Sequence, residues 1–340
     1  MGGTENNMIS RVAEHCYWMS RYLERAENTA RVLDVNQTLL LDFDVPTEQQ
    51  WKPLLIISGI HDFADSTDAE AVQYHLTWEA DNSCSIVSSL AYARENARII
   101  REVISPEMWE RINFYHLWMQ GPVARAMYEH DRNEFYNQIK RINQLLFGIA
   151  EGSMSHGEAW DFLRLGKYLE RACQTARILD VKYHMLLPTP DQVNTPIDSA
   201  HWIAILKSCS GYEPFHKQRQ SFEHGTTIAD FLIFEPIFPR SVRRCLLYCQ
   251  EASHKISGRK RHQPANEAEA MLENLIDWLS LATIDDLVKS GLHESLTKVI
   301  DKIHDIGGAI SRTYFDFDQE RVMEMLSGTK NTQGQMQMSS

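Results

Sequence analysis

Two stretches decide how the rest of the chain is read: Tyr22 to Val35, YLERAENTARVLDV, and Tyr168 to Val181, YLERACQTARILDV. Eleven of these fourteen positions are identical, where average residue usage gives about one by chance. The match continues downstream. Trp51 with Leu54 and Leu55 falls against Trp202 with Ile205 and Leu206, and Leu76 and Glu79 against Leu232 and Glu235. Ser85, Leu90, Tyr92 and Glu95 then meet Ser241, Leu246, Tyr248 and Glu251, while Ile139, Ile142 and Leu145 meet Ile300, Ile303 and Ile306. Insertions fall in Pro- and Gly-containing stretches at 187–196 and 208–225. The chain therefore reads as two copies of one unit, residues 1–155 and 156–326, followed by a stretch of Gly, Gln, Ser and Met, 327–340, that lacks periodicity and reads as a disordered tail.

The patterning is helical throughout. Apolar residues recur at three and four spacing over Leu90–Val103, Glu134–Ile149, Ala265–Leu281 and Leu292–Ile310. Thr47 to Gln50 reads as a capping box ahead of Trp51. Ser105, Pro106 and Glu107 supply an N-cap, an N1 proline and an acid facing the helix dipole. Phe231–Phe238 has a strand-like composition, but two prolines interrupt it and its counterpart does not alternate, so it reads as a short helix or loop. The expected fold is all-α: two helical-bundle units packed with pseudo-twofold symmetry into one body.

On a helix that advances about 100° per residue, Tyr22, Leu23, Ala26, Thr29, Ala30 and Leu33 form a core stripe, and Glu24, Asn28, Arg31 and Val35 lie opposite, flanked by Arg21 and Arg25. The second copy answers with Glu170, Gln174, Arg177 and Val181, flanked by Lys167 and Arg171. A solvated face usually drifts between copies; this one has barely changed, which points to enclosure. Buried charges must be paired, and adjacent Glu24 and Arg25 diverge too far to pair with each other. Pseudo-twofold packing lets Glu24 meet Arg171 or Arg177 while Glu170 meets Arg25 or Arg31, a polar seam locking the halves. The other reading is a cleft in which arginines bind a carboxylate or phosphate and glutamates orient an amine or act as bases. Glu79 and Glu235 are carried in both copies as further candidates. A second cluster, Arg94, Glu95, Asn96 and Arg98, has no arginine counterpart in the second half, so a single anion site belongs in the N-terminal unit.

Several functions are excluded. The chain has 34 Lys and Arg against 46 Asp and Glu, a net charge of −12, opposite in sense to what a phosphate backbone selects. No phosphate-cradling glycine loop is present, so no nucleotide cofactor is expected. Glu251 and His254 form one ExxH pair, but the second such pair is interrupted by Pro214 and the first-half match to His254 is Arg98, so no metal is expected. There is no GxSxG elbow, and no cysteine in a thiol-protease context. The six cysteines lack a CxxC pair and read as reduced, and no signal peptide or apolar 18-residue window is present, so a cytoplasmic location without membrane contact is expected.

The segment from Met8, MISRVAEHCYWMSRYLERAENTARVLDV, followed by ARENAR at Ala93–Arg98 with Trp109, Glu110 and Asn113, resembles the bacterial alpha-E family, all-helical proteins named for a Glu-Arg motif. The resemblance spans about residues 8–325. Carried over residue by residue, the motif is Glu24 with Arg25, repeated as Glu170 with Arg171. The resemblance implies partners: a circularly permuted ATP-grasp ligase and a transglutaminase-like protein, hence a role in making or modifying peptide or amide bonds, with a carboxylate or peptide as substrate. Two functions fit: an accessory protein that binds the ligase or holds its substrate, and an enzyme whose Glu and Arg pairs bind carboxylates.

Overall fold

The computed structural model describes residues 3–43, 47–64, 66–184, 195–219, 225–258 and 263–316. Among the described residues there are helices and loops and no β-strand. The stretch 327–340, expected as a disordered tail, lies outside them.

The chain begins with α1 (Gly3–Asp42), two short helices α2 (Thr47–Gln50) and α3 (Lys52–Ile57), α4 (Ala69–Thr77) and α5 (Ile86–Ile99). A helical series follows: α6 (Pro106–Gln120), α7 (Pro122–His130) and α8 (Arg132–Ser153). Then come α9 (Glu158–His184), α10 (Pro196–Ser208), α11 (Tyr212–Gln218) and α12 (Gly225–Phe234). The chain continues through α13 (Val242–Ile256), α14 (Glu267–Leu281), α15 (Ile284–Lys289) and α16 (Leu292–Ile310), with a π-turn over Ser311–Phe315.

Local chemistry sets the helix starts. Ser85 and Ser241 cap α5 and α13, each hydroxyl accepting from the backbone N–H three residues on. Ser105 caps α6 with Pro106 at N1, Asp131 caps α8, and Thr283 with Asp286 forms a capping box on α15. Thr47–Gln50 is one turn of helix, and α3 starts after Trp51, whose indole offers no acceptor for a side-chain cap, with Pro53 in its first turn.

Helices α1 and α9 pack on each other more extensively than any other pair. Around them, α5 and α8 lie against α1, and α13 and α16 against α9. Small residues permit the close central crossing. Gly166 on α9 faces Tyr17 and Ser20 of α1, where a Cβ would lie 2.2 Å from the Tyr17 carbonyl oxygen. Ala26, Ala30, Ala172 and Ala176 are buried on the same two helices. Trp51, Trp78, Trp160 and Trp202 are buried in the core, and Trp18, Trp109, Trp118 and Trp278 pack against it. Among the described residues no helix is long and apolar enough to cross a membrane.

Candidate functional site

The polar faces of α1 and α9 meet inside the molecule. Arg171 grips Glu24 in a fork, Nε to Oε1 at 2.7 Å and Nη2 to Oε2 at 2.9 Å. Arg25 grips Glu170 in the same atomic pattern, Nε to Oε1 at 2.8 Å and Nη2 to Oε2 at 3.2 Å. Each Glu-Arg dipeptide thus exchanges its charges with the dipeptide of the other helix, as the divergence of neighbouring helical side chains requires. Each carboxylate takes a second guanidinium: Arg240 Nη1 donates to Glu24 at 3.1 Å and Arg21 Nε to Glu170 at 2.9 Å. Asn28 and Gln174 add long bonds of 3.4 Å to Glu24 and Glu170 on their own helices.

A third carboxylate extends the seam. Glu27 accepts from Arg240 Nη2 at 2.5 Å, and from Arg31 and from Asn143 of α8. Glu24, Glu27 and Glu170 are 0, 2 and 3% exposed. Burial raises all three carboxyls, yet the guanidiniums around them and their hydrogen bonds outweigh it. Glu24 and Glu170 are held below the usual carboxylate range, and Glu27 is lowered to about 2. Arg21, Arg25, Arg31, Arg171 and Arg240 outnumber the three acids. The cationic surplus shows at Arg240, whose guanidinium is pulled below its ordinary value by burial and then by the neighbouring Arg171 and Arg31.

Lys167, the counterpart of Arg21, forms no ion pair among the described residues, because Arg171 and Arg240 already occupy Glu24. Its ammonium sits 3.5 Å from the centre of the Phe147 ring, and burial, followed by repulsion from Arg171, lowers it to about 8. Arg177 donates to the Ile57 carbonyl at 3.2 Å and to His304 at 3.2 Å, and reaches neither Glu24 nor Glu170.

The remaining sequence candidates lie elsewhere. Arg94 and Arg98 both pair with Glu95, Arg94 also donates to Asn113, and Asn96 joins His15 and the Tyr92 carbonyl. Glu95 and Arg98 are exposed. The two arginines share one acid of their own helix. Glu79 and Glu235 bring no carboxylate to the seam; their backbone carbonyls receive the hydroxyls of Ser88 and Ser241 near the starts of α5 and α13. Beyond the seam, Lys182 and Asp198 form a buried pair at 2.7 Å beside His201. Burial and the nearby Lys182 charge lower the His201 imidazole to about 4.

Sequence reasoning missed Glu27, Asn143 and Arg240. Glu27 falls opposite Cys173 and Arg240 opposite Cys84, so comparing the copies discards them. Glu27 carried one local signal, its i,i+4 spacing to Arg31; Asn143 and Arg240 reach it from distant parts of the chain.

A family model for a predicted alpha-helical domain with a conserved ER motif, Alpha-E, matches residues 8–315. The chain belongs to the Alpha-E family. The Glu-Arg pairs of this Alpha-E protein are the cross-paired residues of α1 and α9. Uncharacterised proteins of Mycobacterium bovis and of two Mycobacterium tuberculosis strains are 22% identical over 324 residues, which is 86% of this chain and 35% of each relative. The chain thus spans about a third of the length of the curated relatives it matches. No solved structure matches it.

Proposed function

We propose that this protein is a helical accessory module, working in the cytoplasm, that partners a circularly permuted ATP-grasp ligase in peptide or amide-bond synthesis or modification and binds the ligase or its carboxylate or peptide substrate. A transglutaminase-like protein is a further partner on this reading. The observation that carries it is the closed seam. Glu24, Arg25, Glu170 and Arg171 are consumed by one another, so the motif holds the body together and function falls to the surface. The relatives support it too, since a unit like this one occupies only 35% of their length and the remainder leaves room for another component in the same polypeptide.

The same reading includes tandem duplication. Residues 1–155 and 156–326 are taken as one unit repeated and packed about a pseudo-twofold axis between α1 and α9. The matching forks at Glu24 and Glu170 and the matching Ser caps of α5 and α13 support it.

The test is reconstitution of the tagged protein with the ATP-grasp ligase from its own genome, each at micromolar concentration. A complex on size exclusion is expected. Failure to co-elute overturns the partnership. Phe114 and Leu117, one turn apart on α6 and 54% and 57% exposed, supply a second arm: Leu117→Asp is expected to weaken the complex without lowering the melting temperature. The alternative, an enzyme with a Glu/Arg carboxylate-binding cleft, is favoured by one observation, that among the described residues the Arg177 guanidinium meets the Ile57 carbonyl and His304 and no carboxylate.

A further inference from the structure

In the first half the Glu27 carboxylate is bound by Arg31, one turn along α1, by Asn143 of α8 and by Arg240. The corresponding positions are Cys173, Arg177 and His304 in the second half and, opposite Arg240, Cys84 in the first. Equivalent helices bring three of them together. Cys173 Sγ lies 3.5 Å from His304 Nε2, and Arg177 Nη2 lies 3.2 Å from the same nitrogen. Two of the three side chains that bind Glu27, Arg31 and Asn143, thus have polar counterparts here in Arg177 and His304, whereas Arg240 is matched by a cysteine and the residue that carried the carboxylate is replaced by a shorter thiol.

Arg177 is set up as a donor. Among the described residues no carboxylate lies within ion-pair distance of it. Its guanidinium rests against Gly59, whose φ of +80° is the left-handed conformation that favours glycine. The other Nη donates to a neutral imidazole, a weaker acceptor than a carboxylate. His304 is exposed and Arg177 half-buried, so both are reached from solvent.

We infer that Arg177 and His304 form a binding site for a ligand carboxylate, such as a peptide C-terminus, held as the first half holds the side chain of Glu27. The inference rests on the correspondence of the two halves proposed above and is independent of the ligase. The groups facing His304 are Arg177, Cys173, Arg21, Glu170 and Asp301. Burial, then Arg177 and Arg21, keep its imidazole below the ordinary value against the opposing pull of Glu170 and Asp301. A bound carboxylate adds negative charge beside it and raises it. By linkage, affinity then increases as pH falls through the histidine range.

The experiment titrates N-acetylglycine, a probe of a peptide C-terminus, into the full chain by calorimetry at about pH 6 and about pH 8, with the His304 ring followed by NMR. Saturable binding, tighter at the lower pH, is expected. Arg177→Gln is expected to weaken it by about tenfold or more, the loss of a charge-assisted hydrogen bond. His304→Asn installs the amide of the first half and is expected to keep binding while losing its pH dependence. Cys173→Glu supplies the carboxylate within the chain; it is expected to abolish binding and to melt about 1–3 °C above Cys173→Gln. A wild-type titration without saturation, or unchanged affinity in Arg177→Gln, overturns the site. Inorganic phosphate binding as tightly overturns its selectivity for carboxylates. Cys173→Glu melting below Cys173→Gln overturns the correspondence of the halves, a failure separate from that of the ligand.

Discussion

At the scale of single residues the seam is governed by desolvation. A carboxylate as buried as Glu170 is tolerated because Arg21 and Arg25 fill its acceptor sites, and removing its charge leaves two guanidiniums without their acid. Glu170→Gln is therefore expected to cost about 3–5 kcal/mol in urea unfolding, the range for breaking a buried pair. In a double-mutant cycle with Arg25→Gln the two losses are expected to be strongly non-additive; simple additivity would show that the fork carries no coupling. Acid acts on the same groups. Glu24, Glu27 and Glu170 titrate lower in the folded chain than unfolded, so the unfolded chain takes up protons first as pH falls. Their contribution is fully present above about pH 4.3 and is lost as pH falls toward the value of about 2 at Glu27. His201, lowered to about 4, adds a loss of the same sign that begins near the ordinary histidine value of about 6.5. The stability gap between wild type and Glu27→Gln is expected to be constant at neutral pH and to narrow below about pH 4.3. A gap that stays constant to the acid limit would contradict the assignment.

At the scale of helices, glycine has opposite meanings on α8 and α9. Gly166 lets α9 approach α1 so closely that an added Cβ would meet the Tyr17 carbonyl, and backbone cannot step aside as a side chain can. Gly166→Ala is expected to destabilise by about 1–3 kcal/mol or more, the range for overpacking. Gly148, in the interior of α8, has nothing within 4 Å of its built Cβ. Gly148→Ala is expected to stabilise by about 0.5–1 kcal/mol through helix propensity alone. Thermal melts of the two variants moving in the same direction would refute this contrast. The helices themselves were largely legible, since α16 runs over Leu292–Ile310 as its periodicity indicates and α6 starts at its Ser-Pro-Glu signal. The periodic run Leu90–Val103 begins inside α5 and extends past its end at Ile99. Ser85 caps the helix, but Ile86–Ser89 are all packed inside or half-buried, and a short run without polar contrast carries no period.

At the scale of the whole molecule the cross-paired charges couple the halves. Residues 1–155 alone would leave Glu24 without Arg171 and Arg240, and residues 156–326 alone would leave Glu170 without Arg21 and Arg25. Calorimetry is expected to show one cooperative transition with equal calorimetric and van't Hoff enthalpies. Two resolved transitions would show that the seam does not join the halves energetically.

The sequence by itself determined the helical class, the repeated face of α1 and α9 and the presence of charge on it, because periodicity and repetition are properties of the chain order alone. It left open whether that face lined a cleft or closed on itself. Only the tertiary structure decided that Arg171 reaches Glu24 and Arg25 reaches Glu170, that Arg177 is left with His304, and that Glu27, Asn143 and Arg240 complete the network. The reason is physical: an ion pair depends on where side chains from distant helices converge, within a few ångströms and out of water, and no local pattern encodes that distance.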